Sequence, residues 1–298
     1  MDLVESNHQI KTIYTTSAKK EFKQLVTQFY KKQDEDAEAF IKDIDKMVSS
    51  NKTDKDIYQF IESKLSENYD PNLGERASSK TSDLISLLPS IKLKNIKGKG
   101  KIIDIGCKDG SILTSFSQEL DIPKDNLYGY DVVDDKKLDQ YIDNFTYYGP
   151  KDSKYKTAGV YNGYNVEQEN VDIAIALAVL HHVEPKDLEP LLKNIFKSLR
   201  SGGFFIIREH DVKKHNQQLI PVIDVEHVLY VVLGKEDTLD NFIEHNPKHT
   251  GYFKSEHEWD DILSRVGFER IKNLTVSKRL DQVSNYRTHM YYAIYIKP

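Results

Sequence analysis

The sequence predicts an α/β fold: a doubly wound, mostly parallel sheet preceded by a helical segment. Three observations carry this. From Lys101 onward, short β-branched runs alternate with amphipathic helical stretches, the pattern of βαβ units. The first such run (Ile102, Ile103, Ile105) passes into a turn built on Gly106 and Gly110, and then into a stretch with Ile112, Leu113, Phe116 and Leu120 on one helical face. Ahead of it, residues 1–95 keep helical spacing and show no strand signal.

In that leading segment Phe22, Leu25, Val26 and Phe29 recur at i, i+3, i+4 and i+7. So do Phe40, Ile44, Met47 and Val48, and then Ile57, Tyr58, Ile61 and Leu65. Charged clusters separate the three stretches, and Thr53 or Asp54 is placed to cap the third. Pro71 and Gly74 break the pattern before a short helix predicted from about Ser79 to Leu88, which Pro89 ends. Residues 1–95 therefore read as a helical N-terminal cap or lid, or equally as a packing extension that never meets a substrate. Residues 96–298 read as the catalytic domain. Five lysines between Lys92 and Lys101 suit a solvated linker better than a nucleic-acid track, because no aromatic residue is interleaved with them.

Within the second segment, Asn126 to Asp131 is a strand ending in an acid, and Phe145 to Tyr164 is a turn-rich, tyrosine-rich strand and loop. Val171 to Ala178 is a continuous apolar run, as expected of a strand buried on both faces. A helix from Glu184 to Leu199 turns Leu188, Leu191, Leu192 and Ile195 inward and stops at Gly202-Gly203 before the strand Phe204 to Ile207. Val222 to Leu233 is helix or strand-like. Ser255-Glu-His-Glu258 is a capping box for a helix carrying Trp259, Ile262 and Leu263. Two closing strands, Glu269 to Val276 and Met290 to Ile296, are expected to pair as an antiparallel hairpin on the sheet edge.

Composition limits the function classes. A chain of 298 residues, 39% hydrophobic and 30% charged, can build a sizeable core. Its net charge of −5 argues against an overall electrostatic grip on nucleic acid. A single cysteine, Cys107, rules out an internal disulfide and a thiolate zinc cluster, which fits a reducing compartment. No signal-peptide pattern and no membrane-length apolar run is present, so a cytoplasmic location without membrane contact is expected.

The turn Gly106-Cys-Lys-Asp-Gly110 matches the dinucleotide fingerprint poorly, with Lys108 where a glycine would stand, and it lacks the Lys-Ser/Thr of a P-loop. What it resembles is the first motif of the class I S-adenosylmethionine-dependent methyltransferases, Asp/Glu-x-Gly-x-Gly-x-Gly, here Asp104 to Gly110. Further stretches resemble the family in order. Tyr128-Gly-Tyr-Asp131 resembles its second motif, and Asp172 to Val183 its fourth strand and exit, with the Leu-His-His reading. Leu199-Arg-Ser-Gly-Gly203 resembles the run into the fifth strand, with Ser201 replacing proline. Phe253 to Trp259 and Val266-Gly-Phe268 resemble the family's sixth helix and strand. The resemblance spans about residues 100–298.

That resemblance implies a seven-stranded, Rossmann-like sheet with an antiparallel last strand, and S-adenosyl-L-methionine as cofactor. It implies that Asp104, Gly106, Cys107, Lys108 and Gly110 hold the amino-acid end and that Asp131 receives the ribose hydroxyls. Val132 packs on adenine, and Ala178 closes the cofactor side. The chemistry is consistent, since a methyl sulfonium is already activated and the enzyme mainly aligns a nucleophile with the S–CH₃ bond. Two clusters at strand ends, His181-His182 and Glu209-His210-Asp211, are candidates for the general base. No metal is expected, because their spacing fits no compact ligand motif. With the only cysteine in the cofactor turn, a covalent cysteine mechanism is set aside. What remains is O-, N- or C-methylation of a small molecule, of RNA (cap or tRNA) or of protein, with an O or N nucleophile on RNA or a small molecule the expected acceptor; the lysines and tyrosines lean to RNA and the net charge leans away. The alternative is a catalytically inactive methyltransferase fold serving as a binding or scaffold subunit, and a partner subunit is compatible with either reading. A nicotinamide enzyme is a distant third.

Overall fold

The computed structural model describes residues 10–29, 34–66, 81–82, 84–86, 88, 90–132, 142–149, 168–233, 239, 251–271 and 290–298. The chain begins with four helices, α1 (Ile10–Tyr14), α2 (Lys19–Phe29), α3 (Asp34–Ser49) and α4 (Asp54–Leu65). Thr53 caps α4. Its Oγ1 accepts the Asp56 N–H at 3.1 Å, and the Asp56 carboxylate accepts the Thr53 N–H at 2.9 Å. After α5 (Ser90–Ile96) come β1 (Ile102–Ile105), α6 (Ser111–Leu120), β2 (Leu127–Tyr130), β3 (Thr146–Tyr148), β4 (Val171–Leu177), α7 (Pro185–Ser198) and β5 (Leu199–His210). Then follow α8 (Ile220–Leu233), α9 (Glu256–Val266), β6 (Glu269–Arg270) and β7 (Met290–Ile296).

The seven strands form one sheet in the order β3-β2-β1-β4-β5-β7-β6. β1 to β5 pair in parallel, and β7 is antiparallel to both β5 and β6. Strand alternation sends side chains to two separate cores. Ile103, Ile105, Ala174 and Ala176 meet the inner faces of α7 and α9 through Leu188, Leu191, Trp259 and Leu263. Ile102, Ile173 and Ile175 meet α5 and α6 through Ile96, Leu113, Phe116 and Leu120. β4 is buried on both sides from Ile173 to Ala176, which explains its apolar run beyond Asp172. The strand order reverses between β1 and β4, so the crevice for a ligand opens beyond their carboxyl ends.

The last two strands pair antiparallel at one edge of the sheet, as expected. β7 is inserted between β5 and β6, because Ala293, Ile294 and Tyr295 are all buried and need neighbours on both sides. The short, polar β6 takes the edge, where charged side chains suit exposed backbone. Residues 272–276, expected to continue β6, lie outside the described residues, as do residues 150–165 of the loop expected at 145–165; of the helix expected at 79–88, residues 81–82 and 84–86 are helical and 79, 80, 83 and 87 lie outside the described residues.

The ambiguous stretch from Val222 is a helix, α8. It is apolar nearly all round and is buried as such a helix must be, with Val222, Val225, Val228 and Leu229 in one cluster with α1, α2, α3 and α4. The chain accordingly groups into two compact units. One draws on Met1–Pro71 and Val212–Phe253, the other on Asn72–Asp211, Lys254–Val283 and Met290–Pro298. The sequence suggested a single cut near residue 95; the contacts instead return 212–253 to the helical unit. No described helix is long and apolar enough to cross a membrane.

In the sheet unit, one ionic knot ties α9 to β6 and β7. Arg270 donates to Asp260 at 2.6 Å and also pairs with Glu256, while the Tyr295 hydroxyl donates to the other Asp260 oxygen at 2.5 Å. The Arg270 side chain is 22% exposed. Arg270→Ala leaves two neighbouring carboxylates without their cation. Its expected cost, read as a shift in urea midpoint, falls between the roughly 1 kcal/mol of an exposed pair and the roughly 3 to 5 kcal/mol of a broken buried one.

Candidate active site

The turn expected to hold the cofactor is stitched to the end of β2. The amides of Gly106 and Cys107 both donate to the Tyr130 carbonyl, at 2.7 and 3.1 Å. Gly106 and Gly110 adopt positive φ, +73° and +74°. Both positions are also crowded. A Cβ on Gly106 would lie 2.4 Å from Val179 Cγ2, and one on Gly110 would lie 2.0 Å from Phe145 Cε1. Lys108, where the motif has a glycine, likewise takes a positive φ, 50°. That left-handed backbone is unfavourable for a residue with a Cβ, by roughly 1 to 2 kcal/mol. The compensation is visible: the Lys108 amide donates to Asp131 Oδ2 at 2.7 Å. Asp131 Oδ1 accepts the Val132 amide at 2.7 Å, and the Asp131 amide donates to Tyr148 O at 3.0 Å.

Three carboxylates converge on this turn. Asp104, Asp109 and Asp131 are all buried, and Asp109 Oδ1 also accepts the Ser111 amide at 3.1 Å. Burial raises the Asp104 pKa well above the usual carboxylate range, and the charges of Asp131 and Asp109 push it the same way. Burial and the same acids push the Cys107 thiol up, so it is a poor nucleophile there. The turn is thus rich in acids, with Asp104 the one pushed toward its neutral form.

The acceptor side begins where β4 ends. Ala178 adopts a φ of 59°, its amide donates to Arg208 O at 2.6 Å, and Leu180–His182 forms a single 3₁₀ turn. Glu209, near the end of β5, organises this turn. Its Oε1 accepts the Leu180 amide at 2.8 Å and its Oε2 lies 2.6 Å from His181 Nδ1. Glu209 and His181 are both fully buried. Burial raises Glu209 to about 7, against the lowering effect of His210 and of the nearby backbone amides of residues 179–181.

The five candidates for catalysis therefore occupy different settings. His182 is partly exposed, with its ring centroid 4.1 Å from that of His181. His210 is nearly buried and meets the His181 ring edge-on at 5.3 Å. Asp211 Oδ1 accepts the Glu256 amide at 2.9 Å, at the start of α9. Several neighbours were not singled out from the sequence. Lys254 bridges to Asp211, lies over the Trp259 ring at 5.0 Å, and has its pKa lowered by burial. Tyr291 stands opposite Glu209 in the β5–β7 register, with its phenol pKa raised far above normal by burial. Asp109 had a legible signal, an acid two residues before Ser111 at a helix start. Val179, Phe145, Lys254 and Tyr291 had none, since their relevance depends on contacts far apart in sequence.

The comparisons with known proteins come from sequence and from structure. Residues 73–273 match a family described as "Methyltransferase domain". No curated protein sequence matches. Among solved structures, one similar chain belongs to a complex containing the Haloferax volcanii Trm112 methyltransferase activator, at 13% identity, covering 78% of this chain and 100% of that one, with a TM-score of 0.45. Another is the Burkholderia thailandensis 1,6-didemethyltoxoflavin-N1-methyltransferase, with 1,6-didemethyltoxoflavin and S-adenosylhomocysteine bound, at 13% identity, 76% and 79% coverage and a TM-score of 0.45. A third is a TehB-like SAM-dependent methyltransferase from Corynebacterium glutamicum, at 14% identity, 77% and 100% coverage and a TM-score of 0.41. With the family match spanning two thirds of its length and the strand order 3-2-1-4-5-7-6, this chain belongs to the methyltransferase-domain family and carries the class I, Rossmann-like methyltransferase fold.

Proposed function

We propose that this protein transfers a methyl group from S-adenosylmethionine to an oxygen or nitrogen nucleophile. The observation that carries this reading is the set of three buried acids, Asp104, Asp109 and Asp131, gathered at the glycine turn beyond β1. The cofactor would supply an activated methyl on a sulfonium, and its sulfonium and ammonium charges complement the ionised members of that set. Asp131 is suited to the ribose hydroxyls, since each carboxylate oxygen that accepts one amide keeps a second lone pair. The turn from Gly106 to Gly110 takes the amino-acid end, and Val132 and Ala178 border the remainder. His182, the one of the three histidines whose ring is more than marginally exposed, takes the acceptor's proton.

The acceptor belongs to one of two classes, an RNA or a small molecule. Calorimetric titration with S-adenosylmethionine and with NADH, followed by transfer of labelled methyl to RNA and metabolite fractions in parallel, tests the whole reading. S-adenosylmethionine is expected to bind, NADH not to bind, and label to enter one fraction. Absence of S-adenosylmethionine binding would overturn the proposal, and binding without transfer would favour the scaffold alternative.

A further inference from the structure

Glu209 is fully buried and spans two parts of the β4-exit turn. Its Oε1 takes the amide of Leu180 and its Oε2 meets the Nδ1 of His181. The Leu180 amide belongs to the peptide that begins at Val179, so the Val179 side chain is placed by this contact. That side chain is 5% exposed, and its Cγ2 fills the space that a Cβ on Gly106 would enter. Gly106 in turn is the first residue of the cofactor turn, fixed to β2 through Tyr130 O. A continuous line therefore runs from the end of β5, through one carboxylate and the β4-exit turn, to the peptide that would cradle the cofactor. The same carboxylate holds the His181 ring, which packs on His182.

We propose that Glu209 is a positioning residue for both halves of the site, setting the place of the cofactor turn through Val179 and that of the acceptor-side imidazole through His181. The inference rests on the functional reading above and adds a coupling to it: cofactor affinity and the state of the histidine pair depend on one buried acid. The groups facing Glu209 are His181 from the β4-exit turn, His210 from its own strand, Tyr291 from β7 and Lys254 ahead of α9. Of these, His181 is in direct hydrogen-bond contact.

The sign of the pH effect follows from the acceptor count. As pH falls through the neutral range, Glu209 takes up a proton. Protonation relieves the burial of its charge but removes acceptor capacity from a carboxylate that serves both the Leu180 amide and His181 Nδ1, so the turn is held less firmly. Cofactor binding should therefore weaken toward acid pH. The same effect acts reciprocally, with bound cofactor favouring the ionised acid.

The test is S-adenosylmethionine titration by calorimetry on the full chain at pH 6 and pH 8, for the parent, Glu209→Gln and Val179→Ala. In the parent, affinity is expected to fall about fivefold from pH 8 to pH 6, the lower end of ordinary coupling. Glu209→Gln, nearly isosteric, should fold, bind more weakly at pH 8 and lose that pH dependence. Val179→Ala should bind more weakly at both pH values. A folded Glu209→Gln variant with the parent's affinity and pH profile, or a Val179→Ala variant with parental affinity, would overturn the proposal. Should the parent bind no cofactor, the functional reading fails separately, and amide hydrogen exchange at Gly106 and Cys107 decides the positioning role. Faster exchange in Glu209→Gln supports it, and equal exchange overturns it.

Discussion

Asp131→Ala is expected to weaken S-adenosylmethionine binding by about a hundredfold while leaving the protein folded. Two charge-assisted hydrogen bonds to ribose hydroxyls, at roughly 1.5 kcal/mol or more each, sum to about 3 kcal/mol, and each 1.4 kcal/mol is tenfold in affinity. The same carboxylate also accepts the Lys108 and Val132 amides, so its removal loosens the turn as well as the ribose contact. Lys108 is the sensitive point. It keeps a left-handed backbone without the freedom of glycine, and its amide loses the acceptor that offsets the strain. Asp131→Asn should fall between parent and alanine, because it retains one carbonyl acceptor but no charge. Calorimetry reads the affinity and circular dichroism the fold; an Asp131→Ala variant binding within about twofold of the parent would refute the assignment of the ribose acid.

Gly106→Ala should be one of the most damaging single methyl groups in the sheet unit. The residue sits at φ +73°, where a side chain costs roughly 1 to 2 kcal/mol. Its new Cβ would also meet Val179 Cγ2 at 2.4 Å, and overpacking of this kind adds roughly 1 to 3 kcal/mol. The expected sum is about 2 to 5 kcal/mol off the unfolding free energy, with cofactor binding lost alongside, since the displaced peptide is the one that faces the cofactor. Combining Gly106→Ala with Val179→Ala separates the two causes. The double variant should recover the steric part of the stability and retain the backbone part. Urea unfolding of the three variants provides the comparison; an unchanged midpoint for Gly106→Ala would show that the close approach of the two turns is absent in solution.

Much of the fold was legible because it rests on local pattern. The helix α7, with its leucines at helical spacing and its stop before Gly202 and Gly203, appears where the periodicity put it. So does the buried β4, and so does the Ser255–Glu258 capping box that starts α9. The cofactor turn could be read because glycines at Gly106 and Gly110 answer a backbone requirement that sequence spacing records. The place of β7 was not legible. A strand's own residues say that both its faces are buried, but not which strand it will lie beside. Nor was the membership of α8: an all-round apolar helix demands a core, and its sequence does not say which one.

For the proposed acceptor side, the sequence offered titratable residues at strand ends, and chain proximity suggested two clusters, His181-His182 and Glu209-His210-Asp211. The tertiary structure redraws them. Glu209 joins His181 across the sheet, Asp211 turns to the start of α9, and His182 is left as the partly exposed ring. By itself the sequence determined the doubly wound architecture, the glycine turn and the two acids at the ends of β1 and β2, because each is set by hydrogen-bond geometry and periodicity within a few residues. Only the tertiary structure decided which carboxylate holds which turn, and how deeply. Burial and pairing there are set by strands some 30 residues apart, and no local pattern encodes the desolvation that makes Glu209 what it is.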